Sequence, residues 1–294
     1  MITEIAPAPE RVAPEPARPR KKRRAWDEAP RWQIYVPLSI YLLFTLIPFY
    51  WILLFALRPA GSTSLVPWPM TFEHFEKVWN ERAFGTYFQN SVLVGVATLV
   101  MTTLVALAGG YALARFNFKI KRAFMLALLC TQFVPGALLL VPLFEIFANL
   151  RMINSLGSVV IAETVFQLPL SMILISGFIR NVPYSLEEAA WVDGCNRFTA
   201  FRIVVLPLLR PGLIAVGSFA FVHAWNHFLF ALMFLSDQSK QTIPVGLNTL
   251  MSADSVDLGA LAAGGIIAAV PVVIVFAFIQ KWLITGFSAG AVKG

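Results

Sequence analysis

"EEAAWVDGCNRFTAFRIVVLPLLRPG" runs from Glu187 to Gly212, and apolar runs long enough to cross a membrane flank it on both sides. Its own pattern is different. Asn181–Val182–Pro183 ends the apolar run before it, because Pro183 cannot join a helix bonded to the previous turn. Ser185 and Glu188 form S-x-x-E, a capping-box spacing that predicts a helix from Leu186 to about Gly194. Gly194 suits a left-handed helix end. Two turns are too short to be stable alone, so this helix must dock on something. One face carries Leu186, Ala189, Ala190 and Asp193, and Glu187 and Glu188 rim it with charge. Asn196–Leu209 follows, setting Phe198, Phe201, Val204, Val205 and Leu208 against Arg197 and Arg202, the pattern of a segment lying at a membrane surface. Pro207 and Pro211 then redirect the chain into the next apolar run.

The whole chain agrees with a membrane setting. Its 294 residues are 58% hydrophobic and 13% charged, where a soluble domain carries about 25% charge. The excess arrives in six long runs: Tyr35–Leu57, Thr86–Ala114, Ala123–Phe147, Gly157–Ile179, Leu213–Leu235 and Ala260–Ile284. The fold class expected is therefore all-α, a polytopic protein with six transmembrane helices embedded in a lipid bilayer.

Residues 1–34 are Pro-rich and basic, with little that could form a core, and read as a disordered cytoplasmic tail. "RPRKKRR" (Arg18–Arg24) has the look of a nucleic-acid patch, but beside a first apolar run it reads as a positive-inside signal, with no nucleic-acid partner implied. The run is too long and begins too late for a cleaved signal peptide. Counted over alternate connections, Lys and Arg number 18 on one side and 5 on the other. The positive-inside rule then puts both termini, and residues 181–212, in the cytoplasm. The domains expected are the tail 1–34 and a transmembrane domain 35–294, with a cytoplasmic loop at 181–212 and a C-terminal tail at 285–294.

No G-x-x-x-x-G-K-[ST] or H-E-x-x-H occurs, so the sequence offers no P-loop for ATP and no zinc-hydrolase signature of its own. Cys130 and Cys195 lie in an apolar span and a cytoplasmic loop and form no framework. His223 and His227, four apart in "HAWNH", share one helix face at a spacing that suits a metal pair, but no Cys or carboxylate stands near them in sequence. Interhelical hydrogen bonding or the lining of a wet cavity is the favoured reading, and no metal is expected. Gln132, Gln167 and Asn226 lie at comparable depth, with Glu163 and Glu145 further outward, and all are candidates for a polar path. For each carboxylate a second reading stands beside it, that of a group near the outer interface reaching water or headgroups. Pro37, Pro48, Pro135, Pro142, Pro169 and Pro271 are candidate kinks, and Gly109–Gly110 mark a close helix contact.

At the loop the resemblance becomes specific. Glu188–Ala189–Ala190, three residues, Gly194, nine residues, then Val204–Val205–Leu206–Pro207 resembles the EAA loop of permease subunits from binding-protein-dependent ABC importers. Val204 stands where that family has Ile. "GGYALARFNFKIKR" (Gly109–Arg122), "VPGALLLVPLF" (Val134–Phe144), "WNHFLFAL" (Trp225–Leu232) and "GFSAGAVKG" (Gly286–Gly294) are similar to its carbohydrate branch, of maltose-permease type. In that branch an acidic residue often stands where His227 stands here. The resemblance implies a permease for a sugar or oligosaccharide, not itself an enzyme, forming half of a pathway. Its implied partners are a paralogous permease, two cytoplasmic ATPase subunits that bind the ATP, and an external solute-binding protein. It also implies that Glu187, Glu188, Ala189, Ala190, Asp193, Gly194, Leu206 and Pro207 couple the chain to an ATPase. A self-sufficient secondary transporter or channel is the alternative; it would leave the EAA spacing unexplained.

Overall fold

The computed structural model describes residues 30–81, 83–251 and 257–291, of which 281–291 are described as backbone only. The expected tail therefore lies outside the described residues, except that helix begins at Arg31, four residues before the expected span. The described residues are helical with no strand, as the apolar runs require.

The chain divides into two units at Phe49/Tyr50. Helix α1 (Arg31–Leu57) runs through both and keeps Pro37 and Pro48 inside it. In the first unit its apolar side chains, among them Trp32, Tyr35 and Phe44, are exposed, as suits a span facing lipid.

In the second unit the long helices are α2 (Phe84–Arg115), α5 (Leu156–Arg180), α7 (Arg210–Asn226) and α10 (Leu258–Ala291). Shorter helices are α3 (Lys121–Thr131), α4 (Leu140–Asn149), α6 (Tyr184–Val192), α8 (Leu229–Phe234) and α9 (Ile243–Met251). Among the described residues four helices are long and apolar enough to cross a membrane unbroken, and up to six spans result if each of two bent pairs counts as one. The third expected span is the first bent pair: it turns by 94° between α3 and the 3-10 turn that leads into α4. Pro135 stands at that break, whereas Pro169 and Pro271 stay inside unbroken helices and Pro142 sits in the first turn of α4. A proline in a helix with neighbours that satisfy its freed carbonyl need not break it. The second bent pair, Arg197–Leu208 with α7 at 74°, begins ahead of the fifth expected span; that span is itself divided, because α7 stops at Asn226, where His227 turns to extended backbone. Helix α10 continues past Ile284 to Ala291, so most of the expected C-terminal tail is helix, and 292–294 lie outside the described residues.

Helix α2 packs along α5 and α7, and small residues make this possible. A Cβ on Gly110 would stand 2.7 Å from Ile175 Cγ2 and 3.1 Å from Ser176 N, so only glycine admits α5 this closely. Gly95 does the same for the Phe221 ring of α7, where a Cβ would meet Cε2 at 2.8 Å. The expected close contact at Gly109–Gly110 is therefore present.

The connections gather at two ends. At one, Asn90 donates to Ser239 O and Gln241 O, Lys240 Nζ donates to Asn154 O at 2.8 Å, and Lys77 pairs with Asp257 at 2.8 Å. Asp257 Oδ1 also accepts from Ala260 N and so caps α10. At the other end, the last turn of α2 meets the 181–209 loop. Connections that alternate in sequence thus share an end.

Candidate functional site

Two groups of sequence-predicted residues come together, one at the loop and one between α5 and α7.

At the loop, α6 begins at Tyr184, with Pro183 as its N-cap and no side-chain cap bond. This corrects the capping-box reading. Ser185 falls two residues past the N-cap, inside the first turn, so it and Glu188 do not cap each other; Pro183, with φ −56° and ψ 128°, stands at the N-cap itself. The C-terminus is as expected. Gly194 has φ +85°, its N–H donates to Trp191 O at 3.0 Å, and Cys195 N–H donates to Ala190 O at 2.9 Å. Those two bonds form a Schellman end.

The faces of α6 also need correction. Glu187 does not rim an exposed patch; it is fully buried. Arg115 Nε donates to its Oε1 at 2.6 Å, and Tyr111 OH donates to Oε2 at 2.7 Å. Arg115 also donates to Val182 O at 2.9 Å and lies over the Tyr184 ring. The pair's side chains are only 9% and 1% exposed, so the ions are desolvated, and both carboxylate oxygens have donors. Ala190, three residues on from Glu187, is buried on the same inner face. Leu186, Glu188, Ala189, Val192 and Asp193 are exposed and form the outer face. Glu187 therefore ties the short helix to the end of α2, and Glu188 is the outward acid.

The following segment is capped by Asn196, whose side chain accepts from Thr199 N at 2.8 Å. Ala200 and Val205 are buried, while Phe198, Ile203 and Leu208 are exposed. Leu206 is half-buried and Pro207 exposed. A cavity of about 640 Å³ opens beside the loop, walled by Tyr111, Arg115, Tyr184, Trp191, Arg197 and Phe201 among others.

Between the helices, a groove of about 460 Å³ is lined by Gln167 and Leu170 of α5, by Phe219, Val222, His223 and Asn226 of α7, and by His227. Four of the predicted polar residues thus share one wall. Glu163 lies behind them, fully buried. His223 Nδ1 donates to its Oε2 at 3.0 Å. His227 Nδ1 stands 2.7 Å from Oε1, though not in line for a straight hydrogen bond. The two imidazoles stack, with centroids 5.3 Å apart and planes 22° from parallel, and the Phe230 ring packs tilted against His227 at 4.5 Å. The carboxylate that looked absent from the neighbourhood of the histidines is 60 residues upstream in sequence. Even so, no group of three His, Cys, Asp or Glu among the described residues is arranged to hold a metal ion.

Gln132 and Glu145 are not in the groove wall. Gln132 donates to Phe166 O at 3.3 Å, next to Gln167, and Glu145 is exposed on α4. Asn226 donates back to Val222 O within its own helix.

Comparison with known proteins agrees with this architecture. Residues 106–288 match the family described as the binding-protein-dependent transport system inner membrane component. The chain is 36% identical over 264 residues to the diacetylchitobiose uptake system permease protein DasC of Streptomyces coelicolor, covering 88% of this chain and 95% of that one. It is 30% identical to the trehalose transport system permease protein SugB of Mycobacterium tuberculosis, over 85% and 93% of the two chains. It is 33% identical to the melibiose/raffinose/stachyose import permease protein MelC of Bacillus subtilis, over 84% and 91%. Among solved structures, a bacterial ABC transporter that imports the polysaccharide alginate has the same fold, with TM-score 0.73 at 20% identity, over 86% of this chain and 98% of that one. The chain belongs to the binding-protein-dependent transport family and is an ABC transporter permease of the sugar-transport branch, a multi-pass protein of the inner membrane.

Proposed function

We propose that this chain forms half of the pathway of an ATP-driven importer for a sugar or oligosaccharide, and that α6 is the element through which a separate ATPase drives it. The observation that carries this is the division of labour between two adjacent acids. Glu187 is buried and fastens α6 to α2, while Glu188, Ala189 and Val192 are left facing outward. A short helix rigidly joined to a spanning helix transmits a push; a free one would absorb it. On this reading ATP is bound and hydrolysed by partner subunits, a second permease completes the pore, and a solute-binding protein delivers from outside. The positive-inside count puts both termini and the loop on the ATPase side. The polar groove between α5 and α7 is this chain's share of the solute path, and the names of its relatives, which handle diacetylchitobiose, trehalose and melibiose, support a sugar as the solute.

The test is reconstitution of the complex in proteoliposomes with its binding protein. Sugar uptake should require ATP and the ATPase subunits. Uptake by the permeases alone, down a sugar gradient, would overturn this reading in favour of a secondary transporter or channel.

A further inference from the structure

Glu163 is a fully buried carboxylate inside a membrane span, and it faces no solute, lipid or water itself. Its two oxygens point at two imidazoles, and those imidazoles line the groove. A carboxylate only accepts hydrogen bonds, so the ring nitrogen facing it carries the proton. Both rings present Nδ1 to the same carboxylate and lie nearly parallel. Their Nε2 atoms therefore lie on the opposite edge, away from Glu163, and neither has a protein partner among the described residues. In a neutral imidazole with the proton on Nδ1, Nε2 is an acceptor.

We propose that Glu163 is a positioning residue that sets the tautomer and orientation of His223 and His227, so that their Nε2 atoms form a paired acceptor site for the hydroxyls of a neutral polyhydroxyl solute. This rests on the reading of the groove as solute path. The two rings sit about one stacking distance apart, 5.3 Å between centroids, which two hydroxyls of a single sugar ring can bridge. Phe230, tilted by 42° against His227 with centroids 4.5 Å apart, packs on the second ring. A carboxylate exposed directly to the groove would bind water or a cation; held behind two imidazoles, it lends them direction without offering its charge to the solute.

The chain has only three histidines, which makes the proposal open to chemical labelling. The purified transporter complex is treated with diethylpyrocarbonate, which acylates an imidazole nitrogen that bears a free lone pair, and sites are read by peptide mass spectrometry. His74 is the internal reference, since it is buried with Nε2 on Arg58 O at 3.1 Å. His223 and His227 should both react, at Nε2, faster than His74. In Glu163→Gln the amide accepts from one ring but donates to the other, whose proton must then move to Nε2. One of the two histidines should lose its reaction while His74 is unchanged. Glu163→Asp, which keeps two acceptors, should restore both. If neither histidine reacts in the wild-type complex, or if both react equally well in Glu163→Gln, the proposal is overturned. In proteoliposomes with binding protein, Glu163→Gln should raise the half-saturating sugar concentration by a larger factor than it lowers the maximal uptake rate, and Glu163→Asp should bring the half-saturating concentration back towards wild type. A fall in maximal rate alone, with half-saturation unchanged, would make Glu163 merely structural. Failure of the wild-type complex to take up trehalose, melibiose or diacetylchitobiose would instead overturn the sugar as occupant and the importer reading together, and is separable because labelling does not depend on uptake.

Discussion

Two neighbouring glutamates in α6 have opposite fates, and their substitutions should separate. Glu187→Gln leaves Arg115 desolvated beside a neutral amide, and breaking a buried pair in this way costs about 3–5 kcal/mol. Hydrogen exchange across Tyr184–Val192 should speed up in the membrane-embedded protein, because the anchor to α2 is gone. Glu188→Gln should leave that exchange as it is and weaken retention of the ATPase during purification. Equal exchange in the two variants would mean that the Arg115–Glu187 pair does not hold the helix. The sequence showed both acids but not which one turns inward, since that depends on Tyr111 and Arg115, more than 70 positions upstream. The Glu163 cluster was nearer to legible. A carboxylate inside a span needs a hydrogen-bonding counterpart, and His223 and His227 are the only histidines in the apolar spans; their pairing with Glu163 was hidden because the three residues lie on two spans and the sequence alone set Glu163 further outward.

Elements were read well where a single local rule decided them and poorly where two competed. The end of α6 was legible because only glycine takes φ +85° without strain, and Gly194 does so. Its start was not, because Ser185–Glu188 offered a capping box two residues beyond Pro183, which is the observed N-cap. Long apolar runs gave α2 and α5 to within two residues at each end and the start of α10, whose helix runs seven residues past the expected end, but hydropathy cannot register a bend, so the 94° turn at Pro135 and the break at His227 were invisible in it. Gly194→Val should distort the end of α6 through its backbone alone, as no neighbour lies within 4 Å of the added Cβ. Uptake should fall strongly while the variant still inserts and pairs with its partner permease, which quantitative membrane blotting and co-purification can check. Gly110→Leu tests the α2–α5 contact by contrast. Overfilling it should cost about 1–3 kcal/mol and lower the melting temperature of the purified protein, with no selective effect on ATPase binding.

Taken as a transporter subunit, the second unit of the chain links its two ends through α2. Its first turns touch the connections near Ser239 and Gln241, and its last turn holds α6 by Arg115. The groove with His223 and His227 lies beside α5 and α7, the helices that α2 packs along. A displacement of α6 is thus passed to a helix that packs against both helices lining the groove, with no loop in between to absorb it. The orientation that this reading needs, with α6 on the cytoplasmic side, can be checked separately. In intact cells a membrane-impermeant thiol reagent should label a cysteine at Ser239 and not one at Asn196. The most direct measurement is cross-linking from the two faces of α6. In a chain with Cys130 and Cys195 replaced by serine, a cysteine at Ala189, on the outer face, should cross-link to the co-purifying ATPase, and a cysteine at Ala190, on the buried face, should not. Cross-linking from Ala190 alone, or from neither position in a complex that still hydrolyses ATP in response to loaded binding protein, would contradict the assignment of α6 as the coupling element.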